Sequence, residues 1–196
     1  MFFPPSGGTP PTAVECFNVF MRLSWSHKLF LRINEQVGKR RWLDLFMIFC
    51  ARWLIYLLIG AVAGWGVYSI SGDTRSLFFV TLTATLAAAY SVSLAVGLII
   101  PHRRPVKELP GVKTLVPTLG TWKSFPSDHT LWSFVLVFAV LLFGARLWPA
   151  LLFLAAASIV ALGRVYVGVH YPRDVVGGLA LALLFSAGSY FALSYF

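Results

Sequence analysis

"SFPSDHTLWSFVLVFAVLLF", residues 124–143, joins a polar cluster directly to an apolar run. From Thr130 to Phe143 the run carries no charged residue, as a helix buried in lipid or in a protein core requires. Alone it is too short to cross a bilayer, which takes roughly 20 apolar residues at about 1.5 Å each. It approaches that length only by taking in Ser127, Asp128 and His129. Ionisable groups at a membrane helix are costly and point to function by default. The stretch therefore bears on the fold and on the chemistry together.

The rest of the chain settles the class. Of 196 residues, 58% are hydrophobic and 12% charged, with a mean hydropathy of +0.78. A soluble domain is about half apolar and a quarter charged. Four more apolar runs, Leu43–Tyr68, Leu77–Ile100, Leu147–Leu162 and Val175–Phe196, accompany the first. The run at Leu147 is also short, and extends only by including Gly163 and Arg164. These patterns predict an all-α integral membrane protein, a bundle of about five transmembrane helices. The predicted loops are Ser69–Ser76, Pro101–Pro126, Gly144–Arg146 and Arg164–Asp174. Val14–Ile33 places Arg22, Lys28 and Arg32 among apolar residues at helical spacing, which predicts an interfacial amphipathic helix. The start, "MFFPPSGGTPPTA", lacks a signal-peptide pattern and reads as a surface tail. Residues 1–41 thus form a tail and amphipathic segment, and 42–196 a transmembrane domain.

Cys16 and Cys50 have no metal or redox spacing and read as packing residues. Gly60, Gly64, Gly177 and Gly178 suit close helix contact. Trp42, Trp53, Trp122, Trp132 and Trp148 fall near predicted span ends, as in an interfacial belt.

Five spans put thirteen of the sixteen basic residues on the face with the long loops. Arg75 and Arg146 lie opposite, and Arg52 falls inside the first span. By the positive-inside rule the loop-rich face would be cytoplasmic. Lys39–Arg41 suits anionic headgroups, at about 1 kcal/mol per cation. The loop cations also suit an anionic substrate. No nucleic acid or obligate protein partner is expected; the expected partners are membrane lipids.

Three polar clusters share that face. "PHRRP", residues 101–105, offers Arg103 and Arg104 between prolines, a donor-rich strip for phosphate oxygens. Such a pair also serves as a stop signal or lipid anchor. Ser127 stands at a helix N-cap position, so the first amides and the helix dipole behind it favour an anion. His129 is placed to give or take a proton there. In "GRVYVGVHYPRD", residues 163–174, Arg164 ends one helix, Pro172 suits the first position of the next, and Asp174 its first turn. His170 lies four residues before Asp174, and an acid on one imidazole nitrogen raises the basicity of the other.

These residues resemble the three-part signature of the type 2 phosphatidic acid phosphatase superfamily, K-x6-R-P, P-S-G-H and S-R-x5-H-x3-D. Arg104-Pro105, Pro126-Ser127-Asp128-His129, and Arg164, His170 and Asp174 match it. Gly163 stands for the leading Ser, Asp128 for the Gly, and Gly97 for the lysine, which Arg103 or Lys123 would have to replace. The resemblance implies that His170 attacks phosphorus, Asp174 orients it, and His129 protonates the leaving oxygen. Arg104, Ser127 and Arg164 would hold the phosphoryl oxygens, with Asp128 and Arg103 beside them, and no metal or cofactor is implied. "FPSDHT" and "GRVYVGVHYPRDVVGG" are most similar to bacterial undecaprenyl pyrophosphate phosphatases of the bacitracin-resistance type. That implies a polyprenyl diphosphate substrate, a multi-pass protein of the cell membrane, and a site on its outer face, against the charge count. Phosphatidylglycerophosphate, phosphatidic acid and lipid A 1-phosphate are the alternative substrates. Two other classes compete: a metal site using His170, Asp174, His129 and His102, and a non-catalytic lipid carrier.

Overall fold

The computed structural model describes residues 24–117 and 123–195. Among them the regular structure is helical throughout: α1 (Trp25–Asn34), α2 (Arg41–Arg52), α3 (Leu54–Ser69), α4 (Gly72–Ile99), the single turn α5 (Pro105–Glu108), α6 (Asp128–Leu142), α7 (Leu147–Tyr166) and α8 (Pro172–Ser194). By length and composition α4, α7 and α8 can each cross a membrane, and α2 with α3 make a fourth, bent span. The fifth apolar rod, α6, has 15 residues, about 22 Å at 1.5 Å each.

α6 is short because it is the hub. It packs against α3, α4, α7 and α8, and Leu131, Val135, Val137 and Val140 are wholly buried. The bundle's outer surface is the reverse, exposing Leu98, Ile99, Leu152, Leu184 and Phe191 as lipid-facing helices do. Lipid tails are as apolar as the core, so close packing rather than hydrophobic burial must hold these helices together. Gly178 supplies such a contact: a Cβ there would lie 2.6 Å from the Ser127 carbonyl oxygen, so α8 meets the start of α6 backbone to backbone. Gly177 is likewise pressed, against the Phe125 ring. Gly60 and Gly64 have nothing within 4 Å and serve no such contact; Gly66 and Gly163 do, against Phe78 and Ala51.

The first predicted span is broken. α2 and α3 bend by 49° at Trp53. The Ala51 carbonyl, two residues before the break, accepts a hydrogen bond from Arg164 Nη1 at 3.0 Å, and a guanidinium inserted into the helix ladder is a recognised cause of a kink. Sequence periodicity continues smoothly through Arg52 and Trp53 and carries no sign of this long-range insertion.

α1 lies across the loop-bearing end, with Phe30 buried and its ring 5.2 Å from that of Tyr171. The remainder of the predicted Val14–Ile33 helix, with the proline-rich tail, Cys16 and Trp122, falls outside the described residues. Cys50 is buried and free. Trp42, Trp53 and Trp148 are exposed as a belt requires. Trp132 is not: its ring packs 5.7 Å from Tyr90 inside the bundle.

The loop after α4 is tied down from both sides. Asn34 bonds both backbone groups of Lys113, at 2.8 and 3.0 Å, and the Leu115 amide donates to the Val167 carbonyl at 3.1 Å. Gly168 makes this possible, with φ +83° and the Lys113 carbonyl occupying the space of a Cβ.

Candidate active site

One cavity of about 600 Å³ opens at the loop-bearing end of the bundle. Arg104, Asp128, His129, Arg164 and His170 line it together with Arg52, Tyr56, Tyr90 and Trp132. The three clusters, 70 residues apart from first to last, therefore meet in one place. Two backbone joints bring them there. The Ser127 amide donates to the Asp174 carbonyl at 2.9 Å, and the Ser124 amide to the His102 carbonyl at 3.0 Å.

His170 sits on the short connection from α7 to α8 and is 4% exposed. Its Nδ1 lies 3.5 Å from Asp174 Oδ2, an electrostatic contact slightly longer than a hydrogen bond. Asp174, in the first turn of α8, is wholly buried. The same Oδ2 accepts the Ser124 hydroxyl at 2.6 Å and the Tyr171 amide at 2.9 Å. The carboxylate thus caps its own helix and faces the imidazole at once. Burial holds His170 below its ordinary pKa, Asp174 works in the opposite direction, and Arg164 and Arg104 lower it further. The ring is therefore neutral near pH 7, the form that can attack an electrophile.

The corner is braced from outside. Tyr171 is fully buried, and its hydroxyl donates to Glu108 Oε2 at 3.0 Å. Its hydroxyl pKa is pushed up by burial and then by Glu108, so it stays a donor. His27 of α1 stacks 4.6 Å from the Tyr171 ring and approaches Glu108 at 3.4 Å. The Arg173 amide donates to Ser26 at 3.0 Å. The amphipathic helix thereby holds the residues on both sides of Pro172.

Arg164 is buried. Nη1 is bound to Ala51, while its Nε has no hydrogen-bond partner. A buried guanidinium donor without an acceptor is expensive, and phosphoryl oxygens satisfy it. Arg104 N-caps α5, and its Nε donates to the Lys123 carbonyl at 3.1 Å. Burial works against its charge, and Asp128 and then Asp174 oppose that effect. Arg103 is exposed and does not line the cavity.

Ser127 occupies the N-cap of α6 but does not cap through its side chain; its buried hydroxyl accepts from Thr130 at 3.1 Å. The first-turn amides of α6 have no partner within the helix, which leaves them for an anion. His129 stands in that turn, with its side chain on the cavity.

Two of the three departures from the signature, Gly97 and Asp128, turn out to be one feature. A Cβ at Gly97 would lie 2.8 Å from Cγ and Cδ of Lys123, so the lysine stem runs through the space that a side chain at 97 would take. Its ammonium ends 2.8 Å from Ser93 Oγ and 2.5 Å from Asp128 Oδ1, and Ser93 donates to that same oxygen at 2.7 Å. The Asp128 carboxylate is thus held and compensated. The motifs do not single out Ser93, Ser124, Tyr90 or Arg52, and Ser93 stands out only as a buried polar residue in α4. Among the described residues no three His, Cys, Asp or Glu side chains converge as metal ligands. His102 bonds the Ile100 carbonyl at 3.0 Å and packs on Phe125 instead.

Comparison with known proteins identifies the family. Residues 77–195 match the family described as the PAP2 superfamily. YbjG of Escherichia coli (strain K12), provisionally named an undecaprenyl-diphosphatase, is 33% identical over 80% of this chain and 76% of its own. The undecaprenyl-diphosphatase BcrC of Bacillus subtilis (strain 168) is 29% identical over 81% and 79%. The crystal structure of Aquifex aeolicus LpxE superposes with a TM-score of 0.72 at 24% identity, covering 86% of this chain and 96% of that one. The chain belongs to the PAP2 superfamily and is a multi-pass membrane lipid phosphatase of that type.

Proposed function

We propose that the protein removes the terminal phosphate of undecaprenyl diphosphate, or a closely similar polyprenyl diphosphate, through a phosphohistidine on His170. The observation that carries this reading is the convergence of a buried neutral His170, backed by Asp174, with two arginines and a second histidine on one cavity.

His170 Nε2 attacks the terminal phosphorus as Asp174 takes up the positive charge forming on the ring. The bond from that phosphorus to the bridging oxygen breaks. Its electron pair stays on the bridging oxygen, which receives a proton from His129 and leaves as the lipid monophosphate. Water, with its proton taken by His129, then attacks the phosphohistidine; the N–P bond breaks and inorganic phosphate is released. Arg104, Arg164 and the first amides of α6 hold the equatorial oxygens, where charge accumulates. The Lys123 ammonium keeps Asp128 from repelling them. These cations supply the positive charge that a metal provides elsewhere.

The polyprenyl substrate is supported by the names of the relatives, undecaprenyl-diphosphatases in two bacteria. On this reading the site faces outward across the cell membrane, and the cations of the loop-bearing end serve the substrate rather than topology.

The test is phosphate release by purified protein in detergent from undecaprenyl diphosphate, phosphatidylglycerophosphate and phosphatidic acid, with EDTA throughout and His170→Ala as control. Preference for the diphosphate, lost in the variant, is the expected result. Preference for a glycerophospholipid would keep the chemistry and change the substrate. Silence of every substrate under EDTA would overturn the metal-free mechanism.

A further inference from the structure

Arg52 is a cation inside the first span that neither the signature nor the mechanism uses. It is the last residue of α2, at the break before Trp53. The residue before it, Ala51, supplies the carbonyl that anchors Arg164 at 3.0 Å. Arg52 is exposed, lines the same cavity as His170, His129, Arg104 and Arg164, and borders an apolar wall of Ile55, Tyr56 and Ile59. Its guanidinium lies 5.3 Å from the Trp53 ring centre. It has no ion pair or hydrogen bond to any other described residue. A charged residue so placed in a membrane helix is expensive.

Charge matching tells what it is for. A phosphate monoester carries about −1.5 to −2 near pH 7, which Arg104 and Arg164 already balance. Among the described residues the carboxylate on the cavity wall is that of Asp128, and it is taken by Lys123 at 2.5 Å. Arg52 is therefore a third, uncompensated positive charge facing the cavity, and a monoester leaves it unused. We propose that Arg52 binds the inner phosphoryl group of a diphosphate headgroup and so selects lipid diphosphates over lipid monophosphates. This rests on the reading above, in which the terminal phosphoryl is taken by His170. When the bond to the bridging oxygen breaks, its electron pair stays with the inner phosphate, whose negative charge grows. A planar guanidinium fork on two of those oxygens then binds the transition state more tightly than the ground state.

The test compares the full-length protein in detergent with Arg52→Gln and Arg52→Lys, on farnesyl diphosphate and on phosphatidic acid. Arg52→Gln lowers kcat/KM on the diphosphate by about 10- to 100-fold, the range of a hydrogen bond to a charged group. On phosphatidic acid it lowers kcat/KM by about threefold or less, which also reports that the variant is folded. Arg52→Lys recovers part of the diphosphate rate, since it keeps the charge and loses the fork. Equal loss on both substrates would overturn the proposal and place Arg52 behind Arg164 through Ala51. No loss on either would overturn it too, and leave the guanidinium facing lipid headgroups. Failure of the unmodified protein to cleave the diphosphate, with phosphatidic acid cleaved, would sink the diphosphate reading itself and this role with it.

Discussion

Two carboxylates stand at this site, in regions of opposite construction. Asp174, at the corner of α7 and α8, is wholly buried and receives only neutral donors, the Ser124 hydroxyl at 2.6 Å and the Tyr171 amide at 2.9 Å. Among the described residues its one cationic neighbour, Arg173, pairs with it only loosely, Nε 3.7 Å from Oδ1, and His170 lies nearer, at 3.5 Å from Oδ2. Asp128, at the start of α6, is 36% exposed and bound at 2.5 Å by the ammonium of Lys123. One negative charge is kept for a histidine; the other is compensated where it would repel an anionic substrate. The same residue type thus has two roles, decided by whether its partner is neutral or cationic.

Removing the first charge gives the largest expected effect. Asp174→Asn keeps the cap geometry but loses the charge behind His170, and kcat falls by about 10³- to 10⁴-fold, as for an acid that orients a catalytic histidine. KM changes much less. Next comes the second carboxylate's partner. Lys123→Met leaves Asp128 uncompensated beside the phosphoryl group and lowers kcat/KM by about 10- to 100-fold. The double variant Lys123→Met with Asp128→Asn recovers most of that loss. If the two losses simply add, the compensation described for Asp128 is wrong.

A third variant touches only the support of Asp174. Ser124→Ala removes the 2.6 Å bond, so it costs about 1–3 kcal/mol in stability and less than about tenfold in kcat, read by thermal unfolding and by rate. The smallest effect is on pH dependence. Burial lowers the pKa of His170 from an ordinary value of 6.5, and the ring attacks only when neutral. Protonation of the His170 ring therefore removes activity as pH falls through that lowered pKa, so the acid limb of kcat/KM lies below pH 6.5. Asp174 acts to raise the pKa, so the limb in Asp174→Asn moves to still lower pH.

The contrast between the two acids also divides what could be read from the sequence. The Asp174 corner was legible because its parts are local: His170 and Asp174 are one helical turn apart, and Pro172 fixes where that turn begins. The apolar runs likewise gave the five rods, since their lengths follow from bilayer thickness. The Asp128 region was legible only as an anomaly. Gly97 and Asp128 looked like two separate departures, while Lys123, which links them, reaches Asp128 and Ser93 from a loop. The bend at Trp53 was hidden for the same reason, because its partner Arg164 lies 113 residues from Ala51. Arg52 was visible as a charge inside a span, yet its place on the cavity wall depends on that bend.

The central claim is that His170 itself carries the phosphoryl group. The direct measurement is rapid quenching of the protein turning over a diphosphate labelled in its terminal phosphate, in EDTA, followed by peptide mapping. The account predicts an acid-labile, base-stable phosphate on the peptide containing His170, formed within one turnover and absent from His170→Ala. Steady phosphate release with no phosphoprotein on that peptide, or release that survives in His170→Ala, would contradict it.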